Sequence, residues 1–182
     1  MINQKQWEHT MFHDLIVVLM QWLLQYGAPI LFLMLVLGIV GLPIPDETLL
    51  TLAGWLIAKG KFDPFPMIIA AISGSICGIS LSYWLGRLTG PWFMKKYGPK
   101  VRISEEKMLK VHNLYDKYGK WLLFVGYFIP LVRHLSGYIA GCSKLNIRDF
   151  MLFAYTGAVI WALTFLSLGY FLLIQVFPVS LE

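Results

Sequence analysis

Charge is absent from long stretches of this chain. No Asp, Glu, Lys or Arg falls between Leu15 and Pro45, between Thr48 and Ala58, or across residues 66–86 and 150–177. Uncharged apolar runs of ~18 residues or more predict membrane-spanning helices. Residues 66–86 and 150–177 are long enough to cross a bilayer. The stretches 28–41, 46–58 and 121–143 are not, because prolines and short polar insertions interrupt them. Proline cannot continue a helix interior but suits a helix start. Pro43 and Pro45 therefore predict a break followed by a new helix with Asp46 and Glu47 in its first turn. Pro130 predicts the same for a helix carrying Arg133 and His134. The stretches 28–41 and 46–58 together read as one re-entrant hairpin and 121–143 as a second, a form that membranes tolerate only where it is buried in protein or lines a wet cavity. Gly54, Gly137 and Gly141 are candidate hinges beside Pro43, Pro45 and Pro130.

Two segments have a different pattern. In residues 4–26, Leu15, Val18, Leu19, Trp22 and Tyr26 recur at helical spacing, which predicts an interfacial helix ended at Gly27-Ala28-Pro29. In residues 88–118, Ser104-Glu105-Glu106 is a helix-start signal, and Met108, Val111, Tyr115 and Tyr118 form an apolar stripe beside lysines. That helix lies on the bilayer or docks on the rest of the protein. Phe62 to Pro66 and Lys144 to Asp149 read as turns.

The pattern recurs. Ala53-Gly54 returns as Ala140-Gly141 and Tyr26-Gly27 as Tyr118-Gly119, and the spacing of Gly74 and Gly86 repeats in Gly157 and Gly169. The predicted fold is all-α and integral to the membrane, a single domain over 1–182. It comprises two inverted repeats, about 15–87 and 119–177, joined by the basic linker 88–118. Each repeat is a broken-helix hairpin plus one full span, as in many transporters.

Composition agrees: 58% of the 182 residues are hydrophobic, and mean hydropathy is +0.66. The net charge of +5 reports topology and anionic lipid rather than nucleic acid. The basic residues from Arg87 to Lys120, with Lys144 and Arg148, fall on one side. This predicts a cytoplasmic linker and outward termini. No cleavable signal is evident, and most of the seven tryptophans lie near segment ends, as an aromatic belt would. Cys77 and Cys142 read as buried small hydrophobes.

The candidate chemistry is sparse. Arginine within an apolar segment costs ~2.5–3.5 kcal/mol on insertion scales and marks function by default. Arg133, at a helix start, offers a donor fork and nearby free N–H groups to a phosphate. Its alternative role is a buried ion pair with Glu47 or Asp46. Glu47 is either an exchangeable proton site or the partner of Arg133, Asp46 is a helix cap or that partner, and His134 either titrates or packs. There are no paired metal ligands, no Gly-rich phosphate loop and no nucleophile with a base, so neither an enzyme nor a metal or cofactor site is expected.

Leu42-Pro43-Ile44-Pro45-Asp46-Glu47-Thr48-Leu49-Leu50 with Ala53-Gly54, and Phe128-Ile129-Pro130-Leu131-Val132-Arg133 with Gly137, Ala140-Gly141 and Phe150, resemble the paired motifs of the DedA family, related to the VTT or SNARE-associated membrane proteins. The resemblance runs from about Leu15 to Leu173. It implies two opposed re-entrant hairpins and transport or scrambling of a phosphate-bearing lipid, such as undecaprenyl phosphate or phosphatidylethanolamine, across a bacterial inner membrane. It also implies protons as a coupling ion, with Arg133 and Glu47 at matching family positions. The partners are then lipids with anionic headgroups, and a homo-oligomer is allowed. The alternative is a proton-coupled small-ion transporter that affects lipids indirectly. Two departures stand out. Many members have an acid where this chain has Gly38 and an arginine where it has Tyr127, and Asp46 replaces a usual glycine.

Overall fold

In the computed structural model, residues 17–40, 45–97 and 121–176 are described, apart from 19 and 122. Among them the chain is helical, with five principal helices. These are α1 (Ala28–Val40), α2 (Asp46–Ala58), α3 (Pro64–Tyr97), α4 (Pro130–Cys142) and α5 (Ile147–Val176).

Lengths follow from where the chain can start and stop a helix. Helices α1, α2 and α4 have 13 residues each, about 20 Å at 1.5 Å per residue, short of the ~30 Å hydrocarbon core. Helices α3 and α5 have 34 and 30. Within them, Pro64–Gly90 and Ile147–Phe171 are long and apolar enough to cross a membrane. Residues 20–26 are also helical. Leu23 is buried there, with Trp22 and Tyr26 exposed, and Gly27 ends the segment at φ +61, a conformation that glycine adopts without a Cβ penalty.

Both long helices begin earlier than the pattern of charge predicts. The Phe65 N–H donates to Asp63 Oδ1 at 3.1 Å, and the Arg148 N–H donates to Asn146 Oδ1 at 3.1 Å. Each cap satisfies an orphan donor of the first turn, so the expected turns at Phe62–Pro66 and Lys144–Asp149 are shorter and Pro64 and Ile147 are already helical. At its other end α3 runs on to Tyr97 instead of stopping near Arg87, because charge alone does not end a helix. The rest of the expected linker, 98–120, and the chain before Val17 lie outside the described residues. Cys77 is exposed rather than buried, and Cys142 is half-buried.

Helices α2 and α4 end alike. The Lys61 N–H donates to Leu56 O and the Gly60 N–H to Ile57 O. The Leu145 N–H donates to Ala140 O and the Lys144 N–H to Gly141 O. Both are Schellman caps, closed by a left-handed residue, Gly60 at φ +68 and Lys144 at φ +53.

Packing crosses between the halves. Helix α2 lies on α5, and α4 lies on α3. Helix α1 lies on α3, and α3 also touches α5. Small residues allow this contact without a hydrophobic drive between helices. A methyl group at Gly54 would collide with Leu166 O and crowd Tyr170 N, and one at Gly169 would collide with Thr51 O. In the other pair, a methyl at Gly141 would collide with Tyr83 O and crowd Arg87 N, and one at Gly86 would collide with Tyr138 O. The two crossings meet through the same backbone atoms. Helices α2 and α4 run unbroken through Gly54, Gly137 and Gly141, which serve here as points of close approach.

Gly141→Ala is expected to lower the stability of the purified protein by about 1–3 kcal/mol or more, because backbone cannot rotate away. Gly60→Ala, with nothing within 4 Å of the added methyl, is expected to cost only the left-handed penalty of about 1–2 kcal/mol. Thermal melting in detergent checks both.

Candidate functional site

The starts of α2 and α4 meet inside the protein. Helix α2 follows Pro45 (φ −75, ψ 77) and α4 follows Ile129 (φ −107, ψ 112), and neither start has a side-chain cap. Leu49 N donates to Pro45 O at 3.0 Å, and Arg133 N to Ile129 O at 2.8 Å. A helix start carries partial positive charge. Asp46, first residue of α2, is therefore favourably placed. Arg133, in the opening turn of α4, is not, and needs an anion.

Asp46 supplies it. Arg133 Nη2 donates to Asp46 Oδ2 in a salt bridge between two side chains with 0% exposure. The guanidinium also lies over the Trp161 ring, with Cζ 3.9 Å from its centroid, and 5.8 Å from the Tyr127 centroid. Cation–π attraction strengthens when such a group is desolvated. The two rings meet edge-on at 5.8 Å, and Gly157 leaves space against Tyr127. The pairing is incomplete: Asp46 Oδ1, Arg133 Nε and Arg133 Nη1 are buried with no partner among the described residues. Buried polar atoms in native proteins are nearly always satisfied, so free ones call for an explanation.

Of the residues singled out in the sequence, the structure brings together Asp46 and Arg133. Glu47 is half-buried one position along α2, and its carboxylate has no ion-pair partner among the described residues. Asp46 makes no capping hydrogen bond; burial against Arg133 takes its carboxylate instead. Pro45 and Pro130 flank the two helix starts. Pro43 lies outside the described residues, as does the side chain of His134, whose backbone is in α4.

Sequence reasoning marked Gly38 and Tyr127 only as departures from the family pattern and placed Trp161 in an aromatic belt, without assigning any of the three to this centre. Trp161 does not belong to an aromatic belt: it is fully buried. Its position in the middle of an uncharged run was the available signal. Gly38 leaves room for Asp46, since a Cβ there would lie 2.7 Å from Oδ2 and closer to Oδ1. The glycine at 38 and the acid at 46 are thus one steric arrangement.

Asp46 and Arg133 are 87 residues apart, the spacing that also separates Gly54 from Gly141 and Thr51 from Tyr138. The central charges therefore stand at matching places on α2 and α4.

This is an all-helical membrane protein built around a buried charge pair. The VTT domain matches residues 44–171, and the chain belongs to that family, the DedA family of membrane proteins. It is 40% identical over 149 residues to the uncharacterized membrane protein YbfM of Bacillus subtilis, covering 82% of this chain and 92% of that one. It is 28% identical over 156 residues to undecaprenyl phosphate transporter A of the same organism, covering 86% and 77%. It is 31% identical over 156 residues to protein DedA of Escherichia coli, covering 81% and 70%. No solved structure matches the chain.

Removing Arg133 alone, as Arg133→Met, is expected to destabilise the fold by about 3–5 kcal/mol, because it strands a buried carboxylate. The double variant Asp46→Leu/Arg133→Met should recover most of that loss in thermal melting. A cycle of Gly38→Ala with Asp46→Gly should show coupling of about 1–3 kcal/mol.

Proposed function

We propose that this protein moves a phosphate-bearing lipid between membrane leaflets, without covalent chemistry, at a site formed where two re-entrant helices meet. The reading treats the chain as two inverted repeats. The matched backbone contacts at Gly54 and Gly141, and at Gly169 and Gly86, support it. The names of two relatives, undecaprenyl phosphate transporter A in Bacillus subtilis and in Staphylococcus aureus, support the substrate class.

The observation that carries the proposal is Arg133, a fully buried arginine at an uncapped helix start, with two nitrogens still unpartnered. A lipid phosphate replaces the Asp46 oxygen on Nη2 and takes the free N–H groups, in charge-assisted bonds stronger than neutral ones. Its tail stays in the bilayer. Asp46 holds the site closed when no headgroup is bound. Glu47, one residue on, is a polar contact at the approach.

Charge balance separates the two lipid classes. A phosphate monoester that displaces Asp46 leaves a buried carboxylate without a counter-charge, and it must then be protonated or exposed. A phosphoethanolamine headgroup brings its own ammonium, which can face Asp46 while its phosphate faces Arg133. The zwitterion thus splits the pair without changing the charge of the site.

Reconstituted protein is expected to exchange labelled phosphatidylethanolamine between leaflets faster than undecaprenyl phosphate at neutral pH, and Arg133→Ala should abolish exchange of both. Equal rates for Arg133→Ala and the unaltered protein would reject the role of Arg133. An ion flux driven by a pH gradient, with no lipid exchange, would reject lipid transport altogether.

A further inference from the structure

We propose that Ser75 is a further ligand of the headgroup, donating its hydroxyl to a phosphate oxygen held by Arg133; this rests on the lipid-phosphate reading above. Ser75 lies on α3 and is fully buried, and its Oγ has no partner among the described residues. Several hydroxyls on these helices bond back to a carbonyl one turn earlier, an option open to any helical Ser or Thr. Ser73 Oγ donates to Ile69 O at 2.6 Å and Ser80 Oγ to Ile76 O at 2.7 Å. Thr51, Thr156 and Thr164 do the same. Ser75 leaves the equivalent carbonyl unused.

Two independent observations put Ser75 at the level of Arg133. The first is register. Gly137 of α4 meets Ile79 and Ser82 of α3, and Gly141 meets Tyr83 and Arg87. The helices advance together, so one turn back from Gly137 and Ile79 the level is Arg133 and Ser75. The second is Tyr127, whose hydroxyl donates to Ser75 O at 3.4 Å while its ring faces the Arg133 guanidinium. The cluster then holds Arg133 Nε and Nη1, Ser75 Oγ and Trp161 Nε1, all buried and unpartnered. Each of these can donate, and an anion with several oxygens suits them better than water, which would need acceptors too.

The other half of the molecule sharpens the assignment. Tyr83 and Arg87 of α3 correspond to Leu166 and Tyr170 of α5 in their contacts with Gly141 and Gly54. Counting back from Tyr83 to Ser75, and equally from Leu166, reaches Ala158, which is buried and which the Gly54–Leu166 register sets level with Asp46. The helix beside the cation offers a donor, and the helix beside the carboxylate offers a methyl group.

The test uses the full chain in detergent, as Ser75→Ala and unaltered protein, with Arg133→Ala alongside. Thermal stabilisation is titrated with dihexanoyl phosphatidylethanolamine, dihexanoyl phosphatidic acid and inorganic phosphate. Without ligand, Ser75→Ala should melt close to the unaltered protein, because Ser75 Oγ makes no well-formed hydrogen bond among the described residues, its polar side-chain neighbour being Tyr127. With ligand, half-saturation should need about tenfold more of the probe, the loss expected for one hydrogen bond to a charged group. A response to inorganic phosphate equal to that of the lipids identifies the free anion as the ligand, and Ser75 stands if its variant weakens that response too. Unchanged half-saturation in Ser75→Ala, with the response lost in Arg133→Ala, overturns Ser75 and leaves the lipid reading intact. A lower melting point without ligand makes the hydroxyl structural and also overturns it. If the unaltered protein responds to none of the three probes, the phosphate reading falls and Ser75 falls with it.

Discussion

A positive charge enclosed by hydrocarbon needs a partner, and in this protein the arrangement of the centre follows from that need. Arg133 sits at the start of α4, where the helix dipole opposes it, with no exposure to solvent. Coulomb attraction to Asp46 and the faces of Trp161 and Tyr127 offset the desolvation. Each of these brings its own constraint. Asp46 requires a glycine at 38. Tyr127 packs against Gly157. The carboxylate reaches Arg133 because both charged residues lie in the opening turns of helices that start inside the protein.

Such a pair contributes less to stability than its geometry suggests, since a well-packed apolar pair of similar volume often holds a fold as well. Its retention with three unpartnered atoms around it fits a site that must open. A charge pair satisfied on every side would be harder to separate. One that leaves donors idle is already prepared for a second anion.

The rest of the molecule supplies rigidity to this centre. Close backbone contact at Gly54 and Gly169, and at Gly86 and Gly141, locks the short helices α2 and α4 each to a long helix. Because α2 docks on α5 and α4 on α3, each half of the chain holds the other's charged helix. The two helix starts are therefore positioned by opposite halves, and relative movement of the halves would act directly on the distance between Asp46 and Arg133. Polar contacts also join elements, at the centre through the Tyr127 hydroxyl donating to Ser75 O and farther along through the Tyr83 hydroxyl donating to Leu145 O at 2.7 Å.

Much of this was legible in the residues. Long uncharged runs gave the two apolar helices, and Pro45 and Pro130 gave the starts of α2 and α4, because these signals are local: burial in lipid and the missing proline N–H act on a residue through its immediate neighbours. Arg133 declared itself by cost alone. The choice between Asp46 and Glu47 was not legible, since adjacent residues on a helix point about 100° apart and only the position of α4 decides which one faces the cation. Gly38 and Tyr127 stood out only as departures from the family pattern, and the contacts that Trp161, Tyr127, Gly38 and Ser75 make were not legible for the same reason. Each takes its place from a contact across the fold, and nothing in the spacing of one segment states what another segment will bring beside it.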